Sequence, residues 1–276
     1  MTATDTRLDT YAGRTALVTG ASSGIGQAFA RAYAARGANL LLTARREDRL
    51  RALAESLRGE HGVRCEVLAA DLADPETPGL IRRAVQMRGL HVDILVNNAG
   101  FGLPGSFLGN DWSAHARSLQ VMFCAAAELA HLFAPDMIAR RWGRIVNVSS
   151  LAGHMPGTAG HTLYAPIKSA LIRWSEGLHF ELVGHGVHVC ALCPGFTYSE
   201  FHDVNGMRAQ VSRLPRIAWM QAGPVVAQGI AAVERGEPVH ICGRVNRLVA
   251  LLGRWLPRKA AYALVAARAK DFRRVD

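Results

Sequence analysis

Cysteine, lysine and long apolar runs are all scarce in this chain. Its five cysteines are Cys65, Cys124, Cys190, Cys193 and Cys242, and an odd set argues against a disulfide framework. Cys190 and Cys193 form a C-x-x-C, but it lies in HVCALCP, a run that reads as a strand. Three-residue spacing on a strand sends two side chains to opposite faces, so a structural role is expected there rather than redox or zinc chemistry. No apolar run reaches the ~18–20 uncharged residues that a membrane-spanning helix needs. The first residues, MTATDTRLDTYAGR, lack the basic-then-apolar pattern of a secretory signal, and a cytoplasmic address is the expectation. No internal repeat, low-complexity segment or Pro/Ser linker divides the chain.

What is there is ordinary globular composition. Half of the 276 residues are apolar and a fifth are charged, enough for a core that needs neither disulfide nor metal. The formal charge is +10, carried by arginine, with only three lysines, Lys168, Lys259 and Lys270. The arginines are spread out, and no basic stripe interleaved with aromatics is present. The balance therefore points to anionic small ligands and solubility, and nucleic acid is not an expected partner.

Short apolar runs alternate with helical patterns. Strands are expected at 15–19, 39–44, 65–70, 93–97, 144–150, 187–193 and 238–242. Helices are expected at 24–36, 47–60, 75–86 with Asp74 as cap, 112–140, 163–183 and 224–235. Continuous apolar strands separated by helices imply one α/β domain, a doubly wound parallel sheet covered on both faces, with right-handed crossovers. A long irregular insert, 195–223, is expected to cover a site.

The run Thr19-Gly20-Ala21-Ser22-Ser23-Gly24-Ile25-Gly26 sits where the first strand enters the first helix. Glycine there permits a tight turn and close approach of backbone to pyrophosphate, while the helix N-terminus offers free N–H groups to phosphate. The second strand ends Thr43-Ala44-Arg45-Arg46, with no acid before Glu47. A carboxylate at that place would bond the adenosine ribose; arginine suits a 2′-phosphate, so NADP(H) is expected over NAD(H). Asp71 is a candidate for the adenine amino group, or for a helix cap, a role that Asp74 fills better. The Asn97-Asn98-Ala99-Gly100 run would line the adenine and ribose crevice.

Tyr164-Ala165-Pro166-Ile167-Lys168 opens a helix, and positions i and i+4 share a face. A neighbouring ammonium would lower a phenol that otherwise titrates near about 10. Ser149 and Ser150 close a strand shortly before, and either hydroxyl could hold a substrate oxygen or merely satisfy loop backbone.

Taken in order, TGASSGIG, NNAG, the serine after the fifth strand, YAPIK and CPGFT over residues 15–200 resemble the short-chain dehydrogenase/reductase family in its single-domain Rossmann form. The resemblance implies a seven-stranded sheet of order 3-2-1-4-5-6-7 and no metal in the chemistry. It implies Tyr164 as proton donor or acceptor, Lys168 holding the nicotinamide ribose and tuning Tyr164, and Ser150 positioning the carbonyl. Pro194, Gly195 and Thr197 would lie beside the nicotinamide. The family's asparagine in the fourth helix, which helps hold a proton-relay water, is replaced here by Met122. The Ser150–Tyr164 spacing is one residue longer than the commonest one. Helices four and five pack between subunits in the family, so a homodimer or homotetramer is expected. A looser resemblance runs to bacterial reductases related to long-chain 3-oxoacyl and 17β-hydroxysteroid enzymes.

The expected substrate walls are 101–107, 154–163 and 196–220, including Phe101, Phe107, Met155, Leu163, Phe201, Trp219 and Met220, with His154, His161 and His202 nearby. An apolar, bulky carbonyl or alcohol fits such walls. The basic tail, 244–276, is expected to cover the pocket, pack between subunits or touch a membrane surface. Three functions follow from these residues: an NADP(H)-dependent oxidoreductase, a cofactor-binding non-redox regulator, or a lyase or isomerase using Tyr164 as base.

Overall fold

Strand segments dominated by Leu, Val, Ile and Ala can be buried on both faces only in the middle of a three-layer sandwich. A computed structural model of the chain describes residues 11–160, 162–200, 217, 219–255, 257, 259–260 and 262–263. The strands are β1 (Thr15–Thr19), β2 (Asn39–Ala44), β3 (Cys65–Ala69), β4 (Ile94–Asn97), β5 (Gly143–Val148), β6 (Val187–Cys193), β7 (Phe196–Thr197), β8 (Trp219–Met220) and β9 (Val239–Ile241). Seven of them form a sheet of order β3-β2-β1-β4-β5-β6-β9, and every pairing in it is parallel. β7 and β8 form a separate parallel pair. The expected strand order is thus the observed one, and the extra ribbon is new; its two-residue strands are too short to leave a periodic signal.

The helices are α1 (Gly24–Ala34), α2 (Glu47–His61), α3 (Thr77–Met87), α4 (Trp112–Leu119), α5 (Ala125–Ala139), α6 (Tyr164–Leu182), α7 (Ala222–Glu234) and α8 (Arg244–Trp255). Alternation along β2 shows how the layers fill. Leu40 and Leu42 join a core with Phe29, Tyr33 and Leu50 on one face, while Leu41 joins Leu17, Ile81 and Phe133 on the other. Each such fully buried leucine contributes about 1.5–3 kcal/mol. The same alternation separates Cys190 from Cys193, which fall in different clusters, and both are free thiols. Burial lifts Cys190 to about 12 and pushes Cys193 higher still, so neither is a thiolate at neutral pH.

One helix expectation needs correction. The stretch 112–140 is not one α-helix: a π-helical turn, Gln120–Cys124, separates α4 from α5. Apolar periodicity runs through the turn unbroken, so the extra residue is invisible to pattern reading. The whole Trp112–Ala139 rod is long and apolar enough to cross a membrane by length and composition, but half of its most apolar stretch is buried inside the protein. Asp74 caps a turn ahead of α3, accepting from the Glu76 N–H at 2.9 Å, rather than the helix itself.

Candidate functional site

All the parallel strands end on one edge of the sheet, and the loops leaving β1, β2, β4, β5 and β6 bound a single cleft of about 710 Å³. Gly20, Ser22, Ser23, Gly24 and Ile25 form one wall. Gly20 and Gly24 have φ of 65° and 57°, the left-handed region that glycine enters freely. Gly26 lies behind the wall: a Cβ there would collide with the Gly20 carbonyl and the Asn98 side-chain amide. The loop is thus a bare-backbone cradle at the N-terminus of α1, and it fits a pyrophosphate.

The cradle is held from the next strand. Thr19 Oγ1 accepts from the N–H groups of Asn98 at 2.9 Å and Ala99 at 3.0 Å, and donates to the Val96 carbonyl at 3.2 Å. Asn98 Nδ2 donates to the Thr19 carbonyl at 2.9 Å. Asn98, Ala99 and Gly100 are therefore pinned at the cleft wall. Asn97 points the other way, donating to Asn147 Oδ1 at 2.9 Å and to the Ala126 carbonyl at 3.1 Å. Thr19 was not singled out from sequence; a threonine before the glycine turn carries no signal of its own.

Arg45 and Arg46 line the far end of the cleft with Asp71. Arg46 bonds Ser22 Oγ at 3.1 Å and Ser23 Oγ at 3.0 Å, and pairs with Glu200 at 2.8 Å. Arg49 pairs with the other Glu200 oxygen at 2.5 Å. The two guanidinium groups and their hydrogen bonds hold the Glu200 carboxyl below its usual range. Glu200, 154 residues from Arg46, is a site residue that sequence reading missed. Asp71 accepts from the Ala73 N–H at 3.0 Å, so it caps a turn while facing the cleft, and Arg117 lies 3.6 Å from it.

At the opposite end Ser150, Tyr164, Lys168, Pro194, Gly195 and Thr197 share the cleft. Lys168 Nζ donates to the Val148 carbonyl at 2.8 Å and sits 5.7 Å from the Tyr164 ring centroid. Burial pulls Lys168 down to about 8. Burial pushes Tyr164 up to about 12, opposed by its hydrogen bond with Ser150. Ser150 Oγ also accepts from the Ala152 N–H at 3.1 Å. Both serines line the cleft, but the Ser149 hydroxyl is committed to the Lys168 carbonyl at 2.7 Å, whereas Ser150 bonds the phenol. Between Ser150 and Tyr164 the chain makes a short 3₁₀ turn, Leu151–His154, with Ser150 as its cap.

Beside the phenol, Phe101, Leu103, Phe107 and Leu163 line a shallower recess, and Met155 reaches the main cleft. Trp219 and Met220, expected as walls, instead build the β7–β8 ribbon: Trp219 stacks on Tyr198 at 4.7 Å, and Met220 lies against Asn246. His154 is partly buried, and burial lowers its pKa. Phe201, His161, His202, most of the 195–223 insert and the end of the tail lie outside the described residues. Among the described residues no cluster of metal-ligating side chains occurs.

A parallel sheet with a glycine cradle, a strand-end basic pair and a Ser–Tyr–Lys group in one cleft defines a nucleotide-dependent oxidoreductase of the Rossmann type. Residues 14–208 match the short chain dehydrogenase family, and the chain belongs to it. It is 39% identical over 185 residues to the oxidoreductase UcpA of Escherichia coli strain K12, covering 67% of this chain and 69% of that protein. A short-chain dehydrogenase from Sphingobium yanoikuyae, solved with NADPH, superposes with a TM-score of 0.78 at 33% identity, over 91% of this chain and 95% of that one. The bulky-bulky ketone specific alcohol dehydrogenase from Comamonas testosteroni gives 0.73 at 30% identity, over 92% and 94%.

Proposed function

We propose that this chain is an NADP(H)-dependent carbonyl reductase acting on an apolar, bulky ketone or the matching alcohol. The observation that carries the reading is one cleft with Tyr164, Ser150 and Lys168 at one end and Arg45 and Arg46 at the other, with no carboxylate closing β2. The glycine cradle would hold the pyrophosphate, and Arg45 and Arg46 the 2′-phosphate. Asp71, Asn98, Ala99 and Gly100 would hold adenine and ribose. Pro194, Gly195 and Thr197 would flank the nicotinamide, which when bound supplies or accepts the hydride.

The chain's own residues manage the proton. A phenol lifted to about 12 is protonated at neutral pH, so Tyr164 is ready to donate from its hydroxyl to a carbonyl oxygen. Ser150, already hydrogen-bonded to that phenol, positions the same oxygen. Lys168 is anchored by the Val148 carbonyl beside Tyr164, and its charge would lower the phenol while the proton leaves. Phe101, Phe107 and Met155 offer the apolar wall, and the bulky-ketone specificity stated for the Comamonas protein supports that side of the reading. We infer a homodimer or homotetramer, supported by the exposed apolar Phe180 and Val183 around the end of α6.

One observation keeps a non-redox regulator in view. Met122 is buried in the π-helical turn and packs on Gly100, and offers a relay water only a weakly accepting thioether sulfur. NADPH consumption across aldehydes, diketones, sterols and 3-oxoacyl thioesters tests the proposal. Turnover on bulky ketones is the expected result; tight NADPH binding without net consumption on any of them would favour the regulator.

A further inference from the structure

The helix that follows β9, α8, is amphipathic in the wrong sense for a helix that merely packs on a domain. On α8, Asn246, Ala250 and Gly253, spaced i, i+4 and i+7, face the protein. Asn246 Nδ2 donates to the Cys242 carbonyl at 2.8 Å and Ala250 is buried. Gly253 lies over Met155. The opposite face is apolar and bare: Leu248, Leu252 and Trp255 are 55%, 60% and 78% exposed, with Val245 and Leu251 beside them. The large side chains thus point away from the core and the small ones into it. A patch of this size on one helix marks a docking surface.

Charge identifies the occupant. From Arg244 to the C-terminus the chain carries nine Arg and Lys against two Asp and no Glu. Arg244 and Arg247 are exposed on α8 itself. A second copy of this surface would bring like charges together, which disfavours self-association. A helix with a Leu/Trp face and a cationic border matches the boundary between anionic headgroups and acyl chains. We propose that α8 docks this protein on an anionic lipid surface. Val249, on the same helix, lines the catalytic cleft, so docking would set the cleft mouth at the membrane. A carbonyl substrate dissolved in the bilayer could then enter without crossing water. The docking itself does not depend on which carbonyl the cleft takes.

The test uses the full chain with phosphatidylcholine vesicles, with or without about one third phosphatidylglycerol, in a co-sedimentation assay across salt. The expected result is binding to the anionic vesicles that weakens as salt rises, with little binding to the neutral ones. Leu248→Ser/Leu252→Ser should lower partitioning at least about tenfold. Arg244→Gln/Arg247→Gln should lower it about 25-fold, at about fivefold per charge. Trp255→Ala, a change at a largely solvated side chain, should act like the leucine pair, and melting curves in the absence of lipid show whether each variant folds. Wild-type protein that stays in solution with both vesicle types at low salt overturns the proposal. So does undiminished binding by folded Trp255→Ala and leucine variants. A wild-type oligomer that these substitutions convert to monomer without lipid, with vesicle binding unchanged, would assign the face to a second copy instead.

Discussion

Arg46 and Glu200 form an ion pair of 2.8 Å across the rim of the cleft, tying the start of α2 to the segment after β7. The same arginine reaches Ser22 and Ser23 in the glycine cradle. A 2′-phosphate arriving there would compete with Glu200 for the guanidinium. Charge-assisted bonds to phosphate are worth about 1.5–3 kcal/mol each, so Arg45→Ala or Arg46→Ala should cut the preference for NADPH over NADH by about ten- to a hundredfold. Glu200→Gln should act the other way and tighten NADPH by about two- to fivefold, since the pair is half exposed and screened. Dissociation constants for both nucleotides decide it. An unchanged ratio in both arginine variants would reject the assignment.

Lys168 predicts a pH dependence of stability in the absence of nucleotide. Its folded value is lowered to about 8 by burial, whereas the unfolded chain titrates near about 10.4. Between these values the unfolded state binds a proton that the folded state does not, so stability rises with pH through the window and is lost as pH falls through about 8. Tyr164 is lifted to about 12, so its opposing loss begins only above its ordinary value near about 10. Denaturant titrations at pH 7.5 and 9.5 should show wild type gaining about 2 kcal/mol relative to Lys168→Met. Parallel stability curves for the two proteins would show that the lysine is not desolvated as described.

Met122 predicts a small effect from an apparently large departure. The sulfur packs on Gly100 and lines a small cavity with Asn97 and Lys168, where the buried Asn97 Oδ1 has no hydrogen-bond partner. A buried polar atom is thus already present on a residue that shares this cavity with Lys168. Met122→Asn should fold and change turnover by no more than about tenfold, or ~1.4 kcal/mol of barrier. A rise far beyond tenfold would mean that the native protein is adapted to something other than rapid carbonyl reduction.

Legibility in the sequence followed the range of each signal. The β2 strand was readable to the residue because NLLLTA is an apolar run flanked by helix patterns. Tyr164 and Lys168 were readable as a pair because helical spacing alone puts them on one face. The choice of Ser150 over Ser149 needed coordinates, since only the fold shows Ser149 turned to the Lys168 carbonyl. The Arg46–Glu200 pair was not legible either, because nothing local to Glu200 marks it for a partner 154 residues away. The π-helical turn hid inside continuous apolar periodicity, and which face of α8 packs on Met155 and which stays exposed needed coordinates.

The most direct test of the central claim is the effect of Tyr164→Phe on NADPH consumption with a bulky ketone, measured beside NADPH binding. The substitution removes the one hydroxyl and leaves the ring in place. If Tyr164 donates the proton, kcat falls by about 10²–10⁴ while the NADPH dissociation constant stays within about twofold. A variant that keeps the wild-type kcat on the same ketone would contradict the account.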